Sequence, residues 1–435
     1  MSTLQTKVKV AAVKDEDKFK AMDSALRESE FVENLESVFT ASAKGRKQFS
    51  IVIKPNLMMF THLEDPVATY TDPKLVEHLV DRLRDVGFGN IKVAESQNVY
   101  GNWYLNREVL HVAQGAGFAP EDHGYEFVDL TLDRVPHEYH GRWLADHYVG
   151  RAWRDADYRL SFAKNKTHIE DYYTLTLKNI YGTTPMQDKM YEYHATREWY
   201  GAAFDMMKAF PVHFGIIDAF HSSDGPLGFK GTFTPKPTKM VLASPSLIAC
   251  DMVGSEMMGL KPTSSLLMRL CLQEWGEPQV ERTGNVPPQY RHPGWVNVIP
   301  RPREGIYTDA LASSFTLRQL MERTPEFLEM LLQGLATLYE EEYLSFTIGG
   351  ILTSGISGDT MDPKAFPMKS WDQLSEHVKK QTVRNIEDLL FNLKRHASIR
   401  WEIGEFWRSI TSLFSRRTLS RGLDEAFQEW RKHFR

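Results

Sequence analysis

The chain has 435 residues, 52 Lys and Arg against 57 Asp and Glu, and a net charge of −5. That length exceeds one small core and fits two or three domains of ~100–200 residues each, while the net acidity argues against general nucleic-acid binding. The two cysteines, Cys250 and Cys271, form no C-x-x-C pair, which excludes a four-cysteine iron–sulfur cluster within one chain and a disulfide-stapled secreted fold.

From the N-terminus, VKVAAV reads as a strand from Val8, and residues from about Glu16 to Thr40 read as one helix. Phe19, Met22, Leu26, Phe31, Leu35 and Phe39 recur there near helical spacing. FSIVIKPNL reads as a second strand ending in a polar turn. TDPKLVEHLVDRLRDVGF has the caps of a helix, with Thr71 and Asp72 before Pro73 and Gly87 at its end. IKVAES, YEFVDLT and YRLSFAK read as strands, with REVLHVAQGAGF a helix between the first two. HFGIIDAF and TKMVLAS read as strands, and SLIACDMVGSEMMGL as a helix. Continuous apolar strands alternating with helices predict an α/β fold, with a mostly parallel sheet covered by helices on both faces. From about Arg303 the pattern turns helical throughout. The predicted organisation is an α/β domain over residues 1–305 and an added helical C-terminal region over 306–435.

Ligands of such sheets bind beyond the carboxyl ends of the strands. The polar residues expected there are Lys54-Pro55-Asn56, Glu95-Ser96-Gln97-Asn98, Lys164 to His168, and Asp218 with His221 to Pro226. The segment from Lys164 to His194 gathers Lys164, Lys166, His168, Lys178, Lys189 and His194, cations and imidazoles that recur with Asn, Thr and Gly between them. Such a cluster suits a small anion. A lysine among other cations has a lowered pKa and acts as base or nucleophile, and a histidine beside it moves protons near neutral pH. Lys166, His168 and Lys178 are therefore the candidate catalytic groups, and Lys54, Asn56, Glu95, Asn179 and Asp224 the candidate substrate-binding groups. Lys164 and Lys189 read as electrostatic supporters or plain surface lysines. Each single lysine also suits a solvated position, Lys54-Pro55-Asn56 a solvated turn, and Asp224 an ordinary Asp-Gly-Pro turn. Asp251, inside an apolar helix, needs a partner, either a cluster lysine or a neighbouring turn.

Taken in order, IVIKPNL, VAES, SFAKNKTH, TLTLKNIYG, DKMYEYH, IIDAFHSSDGPLG and ASPSLIACDMVGSEMMG resemble the family catalogued as Domain of Unknown Function 362, over roughly residues 50–290. Many members of that family carry an added segment with cysteine-ligated iron–sulfur clusters, for which this chain lacks the cysteines. More distantly, the spacing His168, Lys178, His194 resembles the nickel-pincer lactate racemases. That likeness implies His168 as the proton-transfer group, Lys178 as the cofactor anchor or a catalytic lysine, and His194 as a metal or cofactor ligand. A transition metal or a tethered, nucleotide-like cofactor is implied by the likeness alone. TLTL stands here where the racemases have a glycine-rich segment, and Gln97-Asn98 where they carry a further histidine.

The expected function is an enzyme acting on a small carboxylate- or phosphate-bearing molecule by lysine/histidine acid–base chemistry, isomerase- or oxidoreductase-like. No G-x-S-x-G nucleophile motif points to hydrolysis. The alternative is a non-catalytic binding or carrier protein for an anionic cofactor or metal. MSTLQTKVKV has no apolar signal core and no run approaches the ~18 apolar residues of a spanning helix, so the expected compartment is the cytoplasm. Residues 394–435 hold ten Lys and Arg against five Asp and Glu. The basic amphipathic stretch from Trp401 to Arg417 fits packing on the protein's own core, a second subunit in a homo-oligomer, or peripheral docking on a membrane.

Overall fold

The computed structural model describes residues 7–58, 60–102, 104–168, 171–224 and 235–297, and within 362–378 residues 362, 364–367, 369 and 373–378. The expected helical region at 306–435, with its Trp401–Arg417 stretch, lies outside the described residues apart from those few, and so does the Gly225-Pro226 turn. One compact unit comprises Met1–Pro302 with Met361–Pro367, and every element below belongs to it.

In chain order the strands are β1 (Val8–Lys14), β2 (Ser50–Pro55), β3 (Asn90–Glu95), β4 (Glu126–Asp129), β5 (Arg134–Glu138), β6 (Asp146–Gly150), β7 (Tyr158–His168), β8 (Tyr172–Thr174), β9 (Phe214–Ser223), β10 (Pro235–Lys236), β11 (Met240–Ser244) and β12 (Val280–Gly284). The helices are α1 (Lys18–Glu28), α2 (Phe31–Ala41), α3 (Pro73–Asp85), α4 (Val109–Ala116), α5 (Pro120–His123), α6 (Arg151–Arg154), α7 (Thr176–Asn179), α8 (Trp199–Ala209), α9 (Leu247–Met257) and α10 (Leu266–Trp275).

The sheet runs β12-β1-β11-β9-β7-β2-β3-β4, with β8 hung on β7 and β10 on β9. Strands β9, β7, β2, β3 and β4 are parallel throughout, as their continuous apolar runs predict. The other side departs from that expectation, because β11 pairs antiparallel with both β9 and β1. Helices cover both faces. Val52, Ala94 and Val128 of the sheet pack with Trp153, Leu177, Ile180, Trp199 and Met206, and Val10, Ile217 and Leu242 pack with Ala249 and Val253 of α9. Against α1 and α2, Phe31 meets Phe214 edge-on at 4.9 Å and Phe39 meets Phe49 at 5.4 Å. Among the described residues no helix is long and apolar enough to cross a membrane.

Two expected elements change in the structure. The single helix from Glu16 to Thr40 is two, because Ser29 turns its hydroxyl to the Ala25 carbonyl at 2.7 Å and Glu30 takes a left-handed φ of 56°. A helical pattern of apolar residues continues through such a break, so spacing alone does not show it. The strand YRLSFAK does not stop at Lys164 but runs to His168. Antiparallel β8 satisfies its polar end, pairing Lys166 with Thr174 and His168 with Tyr172. The third predicted group of strand-end polar residues, Lys164 to His168, is therefore within the sheet, on a β-hairpin.

The helix α3 starts as its sequence predicts, with Pro73 at its first position and the Asp72 carboxylate accepting the Lys74 N–H at 2.9 Å. Asp72 also pairs with Lys18. Replacing Asp72 with Ala is expected to lower unfolding free energy by about 1–2 kcal/mol, read in urea titrations. A change under a few tenths would show that the cap contributes nothing.

Candidate functional site

At the carboxyl ends of β2 and β3, beside the β7–β8 hairpin, lies a cavity of about 160 Å³. Its walls include Lys54 and Asn56 after β2, Glu95, Ser96 and Asn98 after β3, Lys166, His168 and Thr174 on the hairpin, and Lys178, Asn179, Tyr181, Gly182, Lys189 and His194 beyond it. The structure thus brings together Lys166, His168, Lys178, Lys54, Asn56, Glu95, Asn179 and His194, predicted from three separate stretches of sequence, 54–56, 95–98 and 164–194. It does not bring Asp224 with them. That carboxylate accepts the Val296 N–H at 2.9 Å and stands 3.4 Å from the Lys236 ammonium, away from the cavity.

Lys54 is 1% exposed. Its ammonium donates to Glu95 at 2.8 Å and to the Pro55 carbonyl at 2.6 Å, with the Asn179 amide oxygen at 3.4 Å. Glu95 also accepts the N–H groups of Ser96 at 2.9 Å and Leu57 at 3.3 Å. The expected substrate contacts Lys54 and Glu95 are thus engaged with each other, and the pair ties β2 to β3 beneath the cavity. Burial lowers the Lys54 pKa and Glu95 opposes that shift. Gly182 closes over them: a Cβ there would stand 2.5 Å from the Lys54 Nζ and 2.8 Å from the Glu95 carboxylate.

Lys164 and Lys189 are neither surface groups nor solvated, which corrects the sequence reading. Lys164 is fully buried, paired with Asp218 at 2.8 Å, and donates to the Val67 carbonyl at 2.9 Å. Asp218 also accepts the Asp72 N–H at 3.0 Å. Lys189 donates to the Ser96 hydroxyl at 2.8 Å, the Thr184 hydroxyl at 3.1 Å and the Thr184 carbonyl. Burial, together with Lys54, brings its pKa down to about 7, against the pull of Glu95 and Asp129. Alternation of polar and apolar residues around these positions resembles that of a surface, because the carboxylates and carbonyls that enclose them come from distant segments.

Lys166 donates to the Thr69 carbonyl at 3.0 Å, two positions along from the carbonyl that Lys164 holds. Burial brings its pKa to about 7, with Lys178 and Lys164 adding to the fall and Glu64 opposing it. His168, two residues on, is held well below the usual imidazole range by burial and by Lys178, Lys166 and His194. His194 is pushed down to about 3 by burial, Lys178 and Lys189. Both imidazoles are therefore neutral at pH 7, while Lys166 and Lys189 divide between ammonium and amine. The Lys178 ammonium sits over the Trp199 ring, 3.4 Å from its centre, a position that favours the cation.

Lys178 and Asn179 are delivered by the single turn α7. A helix this short needs its N–H groups satisfied externally, and Asp251 of α9 does so. Its carboxylate accepts the N–H groups of Thr176 at 2.8 Å and Leu177 at 2.9 Å and the Thr176 hydroxyl at 2.5 Å. Burial lifts its pKa to about 7, against these hydrogen bonds. Of the two roles open to Asp251, the turn cap is the one observed.

Among the buried polar atoms of the cavity wall without a hydrogen-bond partner are the Asn56 Oδ1 and the Thr174 Oγ1. Thr174, Tyr181 and Gly182 were not singled out from sequence, and Ser96 only as one of the polar residues after β3. Ser96 had a signal, as the residue after an acidic strand end, whereas Thr174 had none without the hairpin register. Among the described residues no group of three His, Cys, Asp or Glu side chains is placed to hold a metal ion.

Exchanging Glu95 for Gln leaves the buried Lys54 ammonium without its counter-charge and is expected to cost about 3–5 kcal/mol. The double change Lys54→Met, Glu95→Leu is expected to recover most of that in the same urea titrations. Equal losses in the single and double variants would contradict a coupled pair.

Residues 51–256 match the model of the family described as Domain of unknown function (DUF362). That stretch holds every residue of the cavity wall. No curated protein matches the sequence. Among solved structures the chain is similar to the lactate racemase apoprotein from Thermoanaerobacterium thermosaccharolyticum, at 10% identity and a TM-score of 0.35, covering 58% of this chain and 57% of that one. The aligned part thus spans little more than half of that protein's length.

Proposed function

We propose that the cavity is the active site of an enzyme acting on a small carboxylate- or phosphate-bearing molecule by proton transfer, with Lys166 and His168 as the proton-handling groups and Lys178 as the fixed positive charge. One observation carries the reading. Lys166, brought to about 7 by burial beside other cations, and a neutral His168 lie two residues apart on one strand and line one cavity. A group poised near the working pH is effective as both acid and base, and perturbed groups gathered in a cleft favour a functional site over a structural one.

The charge balance supports an anionic ligand. Glu95 is the one carboxylate among the described wall residues, and Lys54 already pairs with it. Among the described residues Lys166 and Lys189 donate to neutral oxygens only, those of Thr69, Ser96 and Thr184. The volume supports a compact ligand. A cavity of about 160 Å³ falls below the ~300–1,000 Å³ of pockets that enclose drug-sized molecules. It suits a small anion better than a nucleotide-like cofactor.

Anion binding is expected to take up protons. In the free protein Lys166 and Lys189 lose their protons through about pH 7, and a bound anion raises both pKa values. Affinity should therefore be flat below pH 6 and fall above pH 7 by about tenfold per pH unit for each lysine that reprotonates. Calorimetry in buffers of different ionisation heat counts the protons. Affinity unchanged from pH 6 to 9, with no proton uptake, would contradict this electrostatic picture.

Catalysis is tested by incubating the protein in D₂O with a panel of small carboxylates and phosphate esters and following solvent deuterium into carbon by NMR. Wild type is expected to label at least one member, and His168→Gln and Lys166→Met to slow labelling by about 10²-fold or more. Binding without labelling across the panel would instead favour the carrier reading, and full labelling by both variants would remove these residues from the chemistry.

A further inference from the structure

Thr174 takes no part in the proton-transfer scheme, yet it is the cavity residue whose polar group is least accounted for. It ends β8 directly opposite Lys166 on β7. Facing residues of an antiparallel pair project from the same side of the sheet, with Cβ atoms ~5 Å apart, and both line the cavity. Thr174 is 3% exposed, and its buried hydroxyl has no hydrogen-bond partner. Buried polar groups are nearly always satisfied, and an exception calls for a cause. A hydroxyl both donates and accepts, and the open space beside this one is the cavity.

Its neighbour has matching capacity. An ammonium carries three donors, and Thr69 takes one of those on Lys166. The contrast with the other buried lysines is informative. Lys54 and Lys189 each have three acceptors within reach, and Lys164 has its own carboxylate. The charged groups acting on Lys166 are Glu64, Lys178 and Lys164, with His168 beyond. Glu64 is committed elsewhere, accepting the N–H groups of Ala68 at 3.0 Å and Thr69 at 3.1 Å.

We propose that the Thr174 hydroxyl and the Lys166 ammonium together form the seat for the ligand's oxyanion, a carboxylate or phosphoryl group, which leaves the remainder of a compact molecule toward His168 and Lys178. The ammonium supplies charge with little directional demand, and the hydroxyl supplies one directed donor. The hairpin fixes the spacing of the two. This seat makes Thr174 a binding and specificity residue. It rests on the proposed function of the cavity as a small-anion site.

The experiment uses the full chain with inorganic phosphate and acetate as separate probes, by calorimetry at pH 7 and low salt. The variants are Thr174→Val, Thr174→Ser, Thr174→Ala and Lys166→Met. Wild type is expected to bind at least one probe. Thr174→Val keeps the shape and removes the hydroxyl, and is expected to bind it about tenfold or more weakly, with a melting temperature equal to or above wild type. Thr174→Ser should stay within about threefold of wild type. If Thr174→Val does not fold, Thr174→Ala against Thr174→Ser makes the same comparison. The probe that weakens identifies the oxyanion as phosphoryl or carboxylate. Hydroxyl-free variants that bind within twofold of wild type, while Lys166→Met abolishes binding, would overturn the seat and leave the anion site standing. Wild type that binds neither probe would overturn both.

Discussion

Taking ammonium groups out of water is the constraint around which the structure is arranged. Lys54, Lys164, Lys166 and Lys189 are all buried, and an uncompensated charge in a protein interior costs several kcal/mol. The four are stabilised in different ways. Lys164 and Lys54 have their own carboxylates, Asp218 and Glu95. Lys189 is held by neutral oxygens of Ser96 and Thr184. Lys166 has a single carbonyl. The compensation thus declines from the paired lysines to Lys166, and the groups whose pKa values are brought to about 7 are the two without a carboxylate partner. Local chemistry follows from that gradient. The paired lysines fasten strands together, and the other two, held by neutral oxygens alone, are the ones that titrate near neutral pH.

The same hydrogen bonds organise the chain around the cavity. Lys164 and Lys166 hold the carbonyls of Val67 and Thr69, and Asp218 holds the backbone at Asp72 where α3 begins. The segment after β2 is therefore fastened to β7 by side chains rather than by a sheet ladder. On the opposite wall Ser96 joins the end of β3 to the Thr184 carbonyl at 2.8 Å, and Asn179 reaches back to the Lys54 carbonyl at 2.7 Å. The polar residues after β2 and β3 and along the hairpin thus build one set of walls, and the cavity is the space left between them.

Much of this was legible in the sequence, for physical reasons. Apolar runs such as Ile51-Val52-Ile53 show a strand buried on both faces, and Asp72-Pro73 shows a helix start. The parallel core and the convergence of Lys54, Glu95 and Lys166 follow from strand ends, while Lys178 and His194 are drawn in by the cluster from Lys164 to His194. What was not legible depends on register and on distant partners. Lys164 looks solvated until Asp218 is brought opposite it by β9. Thr174 has no distinguishing mark until the hairpin sets it across from Lys166. Asp224 follows a strand end as the others do, but its strand lies on the far side of β7 and its carboxylate is taken by Val296 and Lys236. The break between α1 and α2 turns on one serine side chain competing for a backbone carbonyl, which hydrophobic spacing cannot register.

The capping of α7 by Asp251 has a consequence for how this protein tolerates change. Lys178 and Asn179 stand at the cavity, yet their position is set from α9, through a carboxylate that never reaches the cavity wall. Gly254, one turn further along α9, has the Leu175 side chain only 3.0 Å from where a Cβ would be. Sequence drift in α9 therefore reads out as displaced reactive groups more than as lost packing. A library of variants aimed at cavity residues alone would leave out the helix that positions Lys178 and Asn179.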